Sequence, residues 1–140
     1  MKIRRMSSGD MDVACEVIGL AFEDNPNTLA VVRGDRSRAR RMMEAAVRAA
    51  KLGRKYSHVL LAEDEGRVVG VLNAAEWPNC QPGIGEKLKA APVLIRVVGW
   101  GLLSSLKMMS VWAKHDPQER HWHLGPIGVH PESQGRGVGK

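Results

Sequence analysis

Two Val- and Leu-rich runs, residues 57–62 and 67–77, flank the tetrad Glu63-Asp64-Glu65-Gly66. Extended runs joined by so short a polar turn pair antiparallel, and Gly66 takes the turn position that needs a positive φ. The middle of the chain is thereby committed to a β-hairpin, and the flanking segments must fold onto it. Residues 2–6 read as a short strand. Ser7 and Asp10 then have capping-box spacing, with Met6 and Met11 placed as a hydrophobic staple, so a helix runs to about Phe22 and stops before Asn25-Pro26. Asp35 caps a second helix that Gly53 ends. Pro78, Pro82, Gly83 and Gly85 mark a loop. Helical segments follow over 86–91 and 93–114, interrupted by Pro92 and loosened by Gly99 and Gly101, until Asp116-Pro117 stops them. Residues 120–129 read as a last strand closed by His130-Pro131. The order β-α-α-β-β-(α)-β predicts an α+β (mixed α/β) fold in one domain over residues 1–140, a length that supports one core.

Composition narrows the function classes. Hydrophobic residues make up 44% and charged residues 26%, which excludes a disordered or collagen-like chain. The longest apolar stretch, the ten uncharged residues 97–106, is about half of what a membrane span requires. The basic start Met1-Lys2-Ile3-Arg4-Arg5 lacks the apolar stretch of a signal peptide, since Asp10, Asp12 and Glu16 follow at once. Cys15 and Cys80 are too few and too far apart for a disulfide framework, and a reducing cytoplasm is the expected location.

The net charge of +6 is concentrated in one place. Residues 33–55 hold nine basic side chains against Asp35 and Glu44, a local balance of +7. Ala39, Met42, Met43, Ala46, Val47 and Ala50 recur at helical period and put Arg36, Arg40, Arg41, Arg48 and Lys51 mostly on the opposite side. A solvated helix face accounts for that stripe. A nucleic-acid-binding module would use the same charge, but Trp and Tyr are not interleaved with it for base stacking.

The chemistry is carried by Gln134-Gly135-Arg136-Gly137-Val138-Gly139-Lys140. Glycines at every second position after a strand let several backbone N–H groups converge on one anion. A Walker A loop would need glycine where Gln134 stands, and the dinucleotide fingerprint needs its third glycine three residues after the second, not two. The longer run from Ile127-Gly128-Val129-His130-Pro131 through Gly139 resembles the acetyl-CoA motif of the GCN5-related N-acetyltransferase (GNAT) superfamily. Gln134-x-x-Gly137-x-Gly139 matches the loop and Val129-x-Pro131 its strand-end prefix. Ala21-Phe22-Glu23-Asp24-Asn25-Pro26 and His121-Trp122 are similar to the branch that holds puromycin-type acetyltransferases.

That resemblance implies the N-terminal part of a GNAT fold, truncated before its C-terminal strands and helices. It implies acetyl-CoA as co-substrate and direct transfer of the acetyl group to a primary amine of a small molecule or protein. Backbone amides of Gly135, Arg136, Gly137, Val138, Gly139 and Lys140 would cradle the pyrophosphate, with Gln134 orienting the loop. Backbone groups of Ile127, Gly128 and Val129 would line the path of the pantetheine arm, and Pro126, which lacks an N–H, implies a bulge. His123 is the candidate base. Along a regular strand it faces the same side as Ile127 and Val129, and an extra residue at Pro126 would reverse that alternation. A truncated, inactive cofactor-binding relic is the alternative reading. The last strand, left as an edge, implies self-association into homo-oligomers. No metal is expected, because His115, His121, His123 and His130 have no Cys or carboxylate at a known ligand spacing.

Overall fold

The computed structural model describes residues 1–49, 56–80 and 83–140. Its elements run β1 (Lys2–Arg5), α1 (Met11–Phe22), α2 (Pro26–Val31), α3 (Arg36–Ala49), β2 (Ser57–Asp64), β3 (Arg67–Glu76), α4 (Ile84–Val98), α5 (Leu102–His115) and β4 (Trp122–Val129). The four strands form an antiparallel sheet in sequence order, with β1 and β4 as its edges. The expected α+β class therefore stands.

The central hairpin turns on Glu65 and Gly66, with φ of 50° and 79°, so β2 extends two residues past its predicted end. Paired positive φ values are what a two-residue turn between right-twisted strands requires. Ser7 donates from its N–H and its hydroxyl to the Asp10 carboxylate, at 2.7 and 2.6 Å, and these contacts open a 3-10 turn ahead of α1. Met6 and Met11 both pack against the main core. Asp35 accepts from the Arg38 N–H at 2.9 Å as the cap of α3, whereas its predicted stop, Gly53, lies outside the described residues.

Two features differ from the sequence pattern. A further short helix lies between the two expected ones: the Asn25 side chain accepts from the N–H groups of Asn27 and Thr28, and Pro26 opens α2. Proline at the first helical position, behind an asparagine cap, was the available signal. Pro92 does not interrupt a helix, since α4 runs through it. The break falls instead at Gly99, with φ of 58°, and at Gly101. A β-carbon on Gly101 would lie 2.4 Å from the Val31 carbonyl oxygen. These glycines let the α4–α5 corner sit against the end of α2, which is a closer constraint than loosening.

One face of the sheet carries the helices. Ala14, Cys15, Val17 and Ile18 of α1 pack with Val47 of α3 and with Val59, Leu61 and Val71 of the sheet. A second cluster, Val31, Val32, Ala39, Met42 and Val98, joins α2, α3 and α4. The basic stripe of α3 faces acidic groups of α1 and the turn after it, Arg36 meeting Glu23 and Asp24, Arg40 meeting Glu16 and Arg48 meeting Asp12, while Arg40 also pairs with Glu44 of its own helix. The predicted core side of α3 is buried at Ala39, Met42 and Val47, while Ala50 and Lys51 lie outside the described residues.

Candidate active site

Among the described residues strand β4 is paired on one side only, and its register sets which atoms face where. Val129 lies opposite Gly70, Gly128 opposite Val71 and Ile127 opposite Leu72; then Leu124 lies opposite Ala74 and His123 opposite Ala75. Asn73 alone therefore faces both Gly125 and Pro126, which is a bulge in β4. The Asn73 side-chain amide donates to the Gly125 carbonyl at 2.8 Å and pins it. The bulge expected at Pro126 is present.

Its consequence falls on His123. Val71 and Ala75 point to the face that carries α1 and α3, so their partners Gly128 and His123 share that face. Ile127 and Val129 point to the open face. The regular-strand alignment of His123 with Ile127 and Val129 is thus reversed, because two residues of β4 occupy the space of one in β3. His123 instead places Nδ1 3.6 Å from Oδ1 of Asp116, just past α5. Nothing in the sequence flagged Asp116 beyond its role as a helix stop.

Backbone polarity alternates as well. The His130 N–H donates inward to the Val69 carbonyl at 2.8 Å, so by the antiparallel alternation the N–H groups of Ile127 and Val129 point to the outer edge. The Val129 carbonyl, also outward, accepts from the Gln134 side-chain amide at 3.0 Å. Gln134 thereby ties the loop to the strand end. Gly128 is where α1 comes nearest: a β-carbon there would stand 2.8 Å from Ile18 Cδ1 and 3.0 Å from that of Ala21.

Past β4, His130 begins a 3-10 turn over Pro131–Ser133, and its Nδ1 accepts from the Glu132 N–H at 3.4 Å. The glycine loop then folds back over the open face. Gly135 and Gly137 have φ of 74° and 81°, with no atom within 4 Å of where a β-carbon would project. Val138 packs over Gly70, and Gly139 sits against Val129 Cγ2. The Lys140 N–H reaches the Gly137 carbonyl at 3.3 Å. Arg136 is exposed, with Nη2 3.6 Å from Asp64 Oδ2. Left-handed glycines with space above them leave an open loop beside a strand edge that no strand among the described residues pairs. That arrangement suits a phosphate followed by an extended chain.

Residues 27–140 match the model of the acetyltransferase (GNAT) family. The protein belongs to that family. The four-stranded antiparallel sheet with its helices fits a GNAT fold, and acyl transfer by an N-acetyltransferase is the chemistry of the family. Within this GNAT domain the matched segment contains the hairpin, β4 and the whole glycine loop. No helix among the described residues is long and apolar enough to cross a membrane.

Proposed function

We propose that the protein takes the acetyl group of acetyl-CoA and passes it directly to a primary amine of a small molecule or protein. The observation that carries this reading is the juxtaposition at the end of β4. Open, left-handed Gly135 and Gly137 stand beside an edge whose Ile127 and Val129 N–H groups point outward. Amides of residues 135–139 would hold the pyrophosphate, since the Lys140 N–H is taken by the Gly137 carbonyl; the Arg136 and Lys140 side chains would add positive charge, and the pantetheine arm would lie along the edge as a strand does.

The roles of the remaining groups follow from the reaction. A neutral amine attacks the thioester carbon, the new C–N bond forms, the C–S bond breaks and the thiolate leaves. The Ile127 N–H is the donor for the oxygen that becomes negative, a contact of a kind worth about 3 kcal/mol elsewhere. The amine must lose a proton, and we assign its acceptance to His123. The bulge puts the imidazole on the helical face, across the strand from Ile127 and Val129, so the proton would reach it around the strand edge through a water.

Calorimetric titration with acetyl-CoA tests the cofactor assignment. Gly137→Asp puts a side chain and a negative charge where the phosphate would sit and forces an aspartate to a φ of 81°, so binding should be lost. Unchanged affinity in that variant would overturn the assignment. Binding without turnover of any amine would favour a cofactor-binding relic over an enzyme.

A further inference from the structure

We propose that Cys80, Asp116 and His121 form a binding site for a zinc-type divalent metal ion that clasps both ends of the α4–α5 segment to the sheet. The three come from separate places: Cys80 from the loop after β3, Asp116 from just beyond α5, and His121 from just before β4. One donor atom from each lies within 4.8 Å of the other two. Cys80 is buried and the other two are largely so, with side-chain exposures of 16% for Asp116 and 19% for His121.

The state of the imidazole points to a cation. His121 Nδ1 is 2.7 Å from the Glu119 carbonyl, which can only accept, so the ring proton of neutral His121 sits on Nδ1. Nε2 then carries a lone pair, is buried and has no hydrogen-bond partner. It looks across 3.7 Å at Asp116 Oδ1. Two lone pairs facing each other in a buried site repel unless a cation, a proton on Nε2 or a metal ion, lies between them, and the buried Cys80 thiol beside the pair is what suits the metal. A backbone carbonyl holding the far nitrogen of a histidine is also how metal-binding imidazoles are oriented.

Donor chemistry selects the ion. Thiolate, imidazole and carboxylate together suit zinc or cobalt, whereas calcium and magnesium take oxygen ligands. Bonds of about 2.0–2.3 Å around a tetrahedral zinc put its donors about 3.3–3.8 Å apart. The His121–Asp116 separation already falls in that range, and the set closes with a small inward shift. The fourth position is left to water. A Cys–His–Asp nucleophile is a poorer reading. It needs one ring nitrogen toward the thiol and the other toward the carboxylate, but Nδ1 is held by Glu119. Cys80 and Asp116 stand at no known ligand spacing from His121 in the sequence and are brought to it by the return of a long helical segment. His115 and His130, weighed beside it in the sequence, bond instead to Val111 and Glu132.

Titration of the reduced, metal-free chain with Co(II) tests the site. A single equivalent should give tetrahedral d–d absorption with a thiolate-to-cobalt charge-transfer band, and Zn(II) should displace it. Cys80→Ser should abolish the charge-transfer band, and Asp116→Asn and His121→Gln should each weaken binding at least tenfold. Cys15→Ser and His115→Gln should leave it unchanged. In the unsubstituted chain, where folding of a variant is not at issue, Zn(II) should slow alkylation of Cys80 at least tenfold, read by peptide mass spectrometry. No tetrahedral cobalt spectrum, a band that survives Cys80→Ser, or Cys80 alkylation indifferent to zinc would each overturn the proposal. The contact would then be a plain His–Asp ion pair beside a buried thiol.

Discussion

Arg4 shows how much one side chain on an edge strand can organise. Its guanidinium donates twice to the Asp10 carboxylate, at 2.7 and 2.8 Å, and from Nε to Glu63 at 2.7 Å. It thereby joins β1, the turn before α1 and the end of β2. The Arg4 and Ser7 hydrogen bonds hold the Asp10 carboxyl well below the usual carboxylate range. The unfolded chain, with an ordinary aspartate, takes up a proton first as pH falls. The stabilisation is therefore complete above about pH 4, the unfolded value, and is lost as pH drops toward the lower folded value. Asp10→Asn should unfold at lower urea concentration than the parent at pH 7, with the gap shrinking by pH 3. Equal gaps at both pH values would show that the carboxylate charge is not what matters. At the candidate site, His123→Phe should leave the acetyl-CoA dissociation constant unchanged while lowering kcat/KM about a hundredfold, the low end for loss of a positioned base. Wild-type kcat/KM in that variant would remove His123 from the reaction.

The elements themselves divide into those whose local chemistry is self-sufficient and those that depend on distant contacts. The hairpin, the Asp35 cap and the end of β4 at His130-Pro131 are each written within a few residues, and each was legible in the sequence. So was the bulge, because Pro126 cannot donate into a ladder. Other features depend on partners far along the chain. Pro92 reads as a break by local rules, yet α4 continues through it while the break is placed by Gly101 meeting Val31. The face on which His123 lies depends on a count across the β3–β4 register, and Asp116 acquires its neighbours only when α5 returns to the sheet. The glycine loop was legible as a motif, but its hold on the strand, through Gln134 and the Val129 carbonyl, depends on how the 3-10 turn between them folds back. Gly128 belongs to the second kind too. A methyl group there would meet Ile18 and Ala21 of α1 inside normal contact distance, so Gly128→Ala should destabilise the fold by about 1–3 kcal/mol, the usual cost of overpacking. Gly135→Ala meets open space and carries only the strain of a positive φ, about 1 kcal/mol. Urea midpoints for the two variants should fall in that order, and a reversed order would mean that α1 shifts freely away from β4.

At the scale of the whole molecule, the sheet is dressed on one face and bare over much of the other. The helical face buries Val59, Leu61 and Val71 beneath α1 and α3. The open face carries Ile3, Leu124, Ile127 and Trp122, each half exposed or more, and the glycine loop covers only the corner near Gly70 and Val129. Trp122 lies across His58 there, with ring centroids 5.4 Å apart, which leaves much of its ring in water. Beside this apolar surface, the outer edge of β4 offers backbone groups that no strand among the described residues covers. Apolar area and unpaired amides drive association together, since a second copy pairing edge to edge would extend the open face as well as the ladder. Charge does little to prevent it. The basic excess sits on α3, across the sheet from this surface and partly matched by the acids of α1. The chain should therefore self-associate in a concentration-dependent way, seen as a rising mass in light scattering across a dilution series. Ile127→Lys places a charge on the edge strand's open face and should return the mass to that of a monomer. Acetyl-CoA at saturating concentration should do the same in the unsubstituted chain, because the proposed pantetheine path occupies the same edge. A monomer at all concentrations would show that the edge is protected by its bulge and twist alone. Association that persists with acetyl-CoA bound would place the contact elsewhere, with the exposed Leu103, Leu106 and Trp112 of α5 as the next surface to substitute.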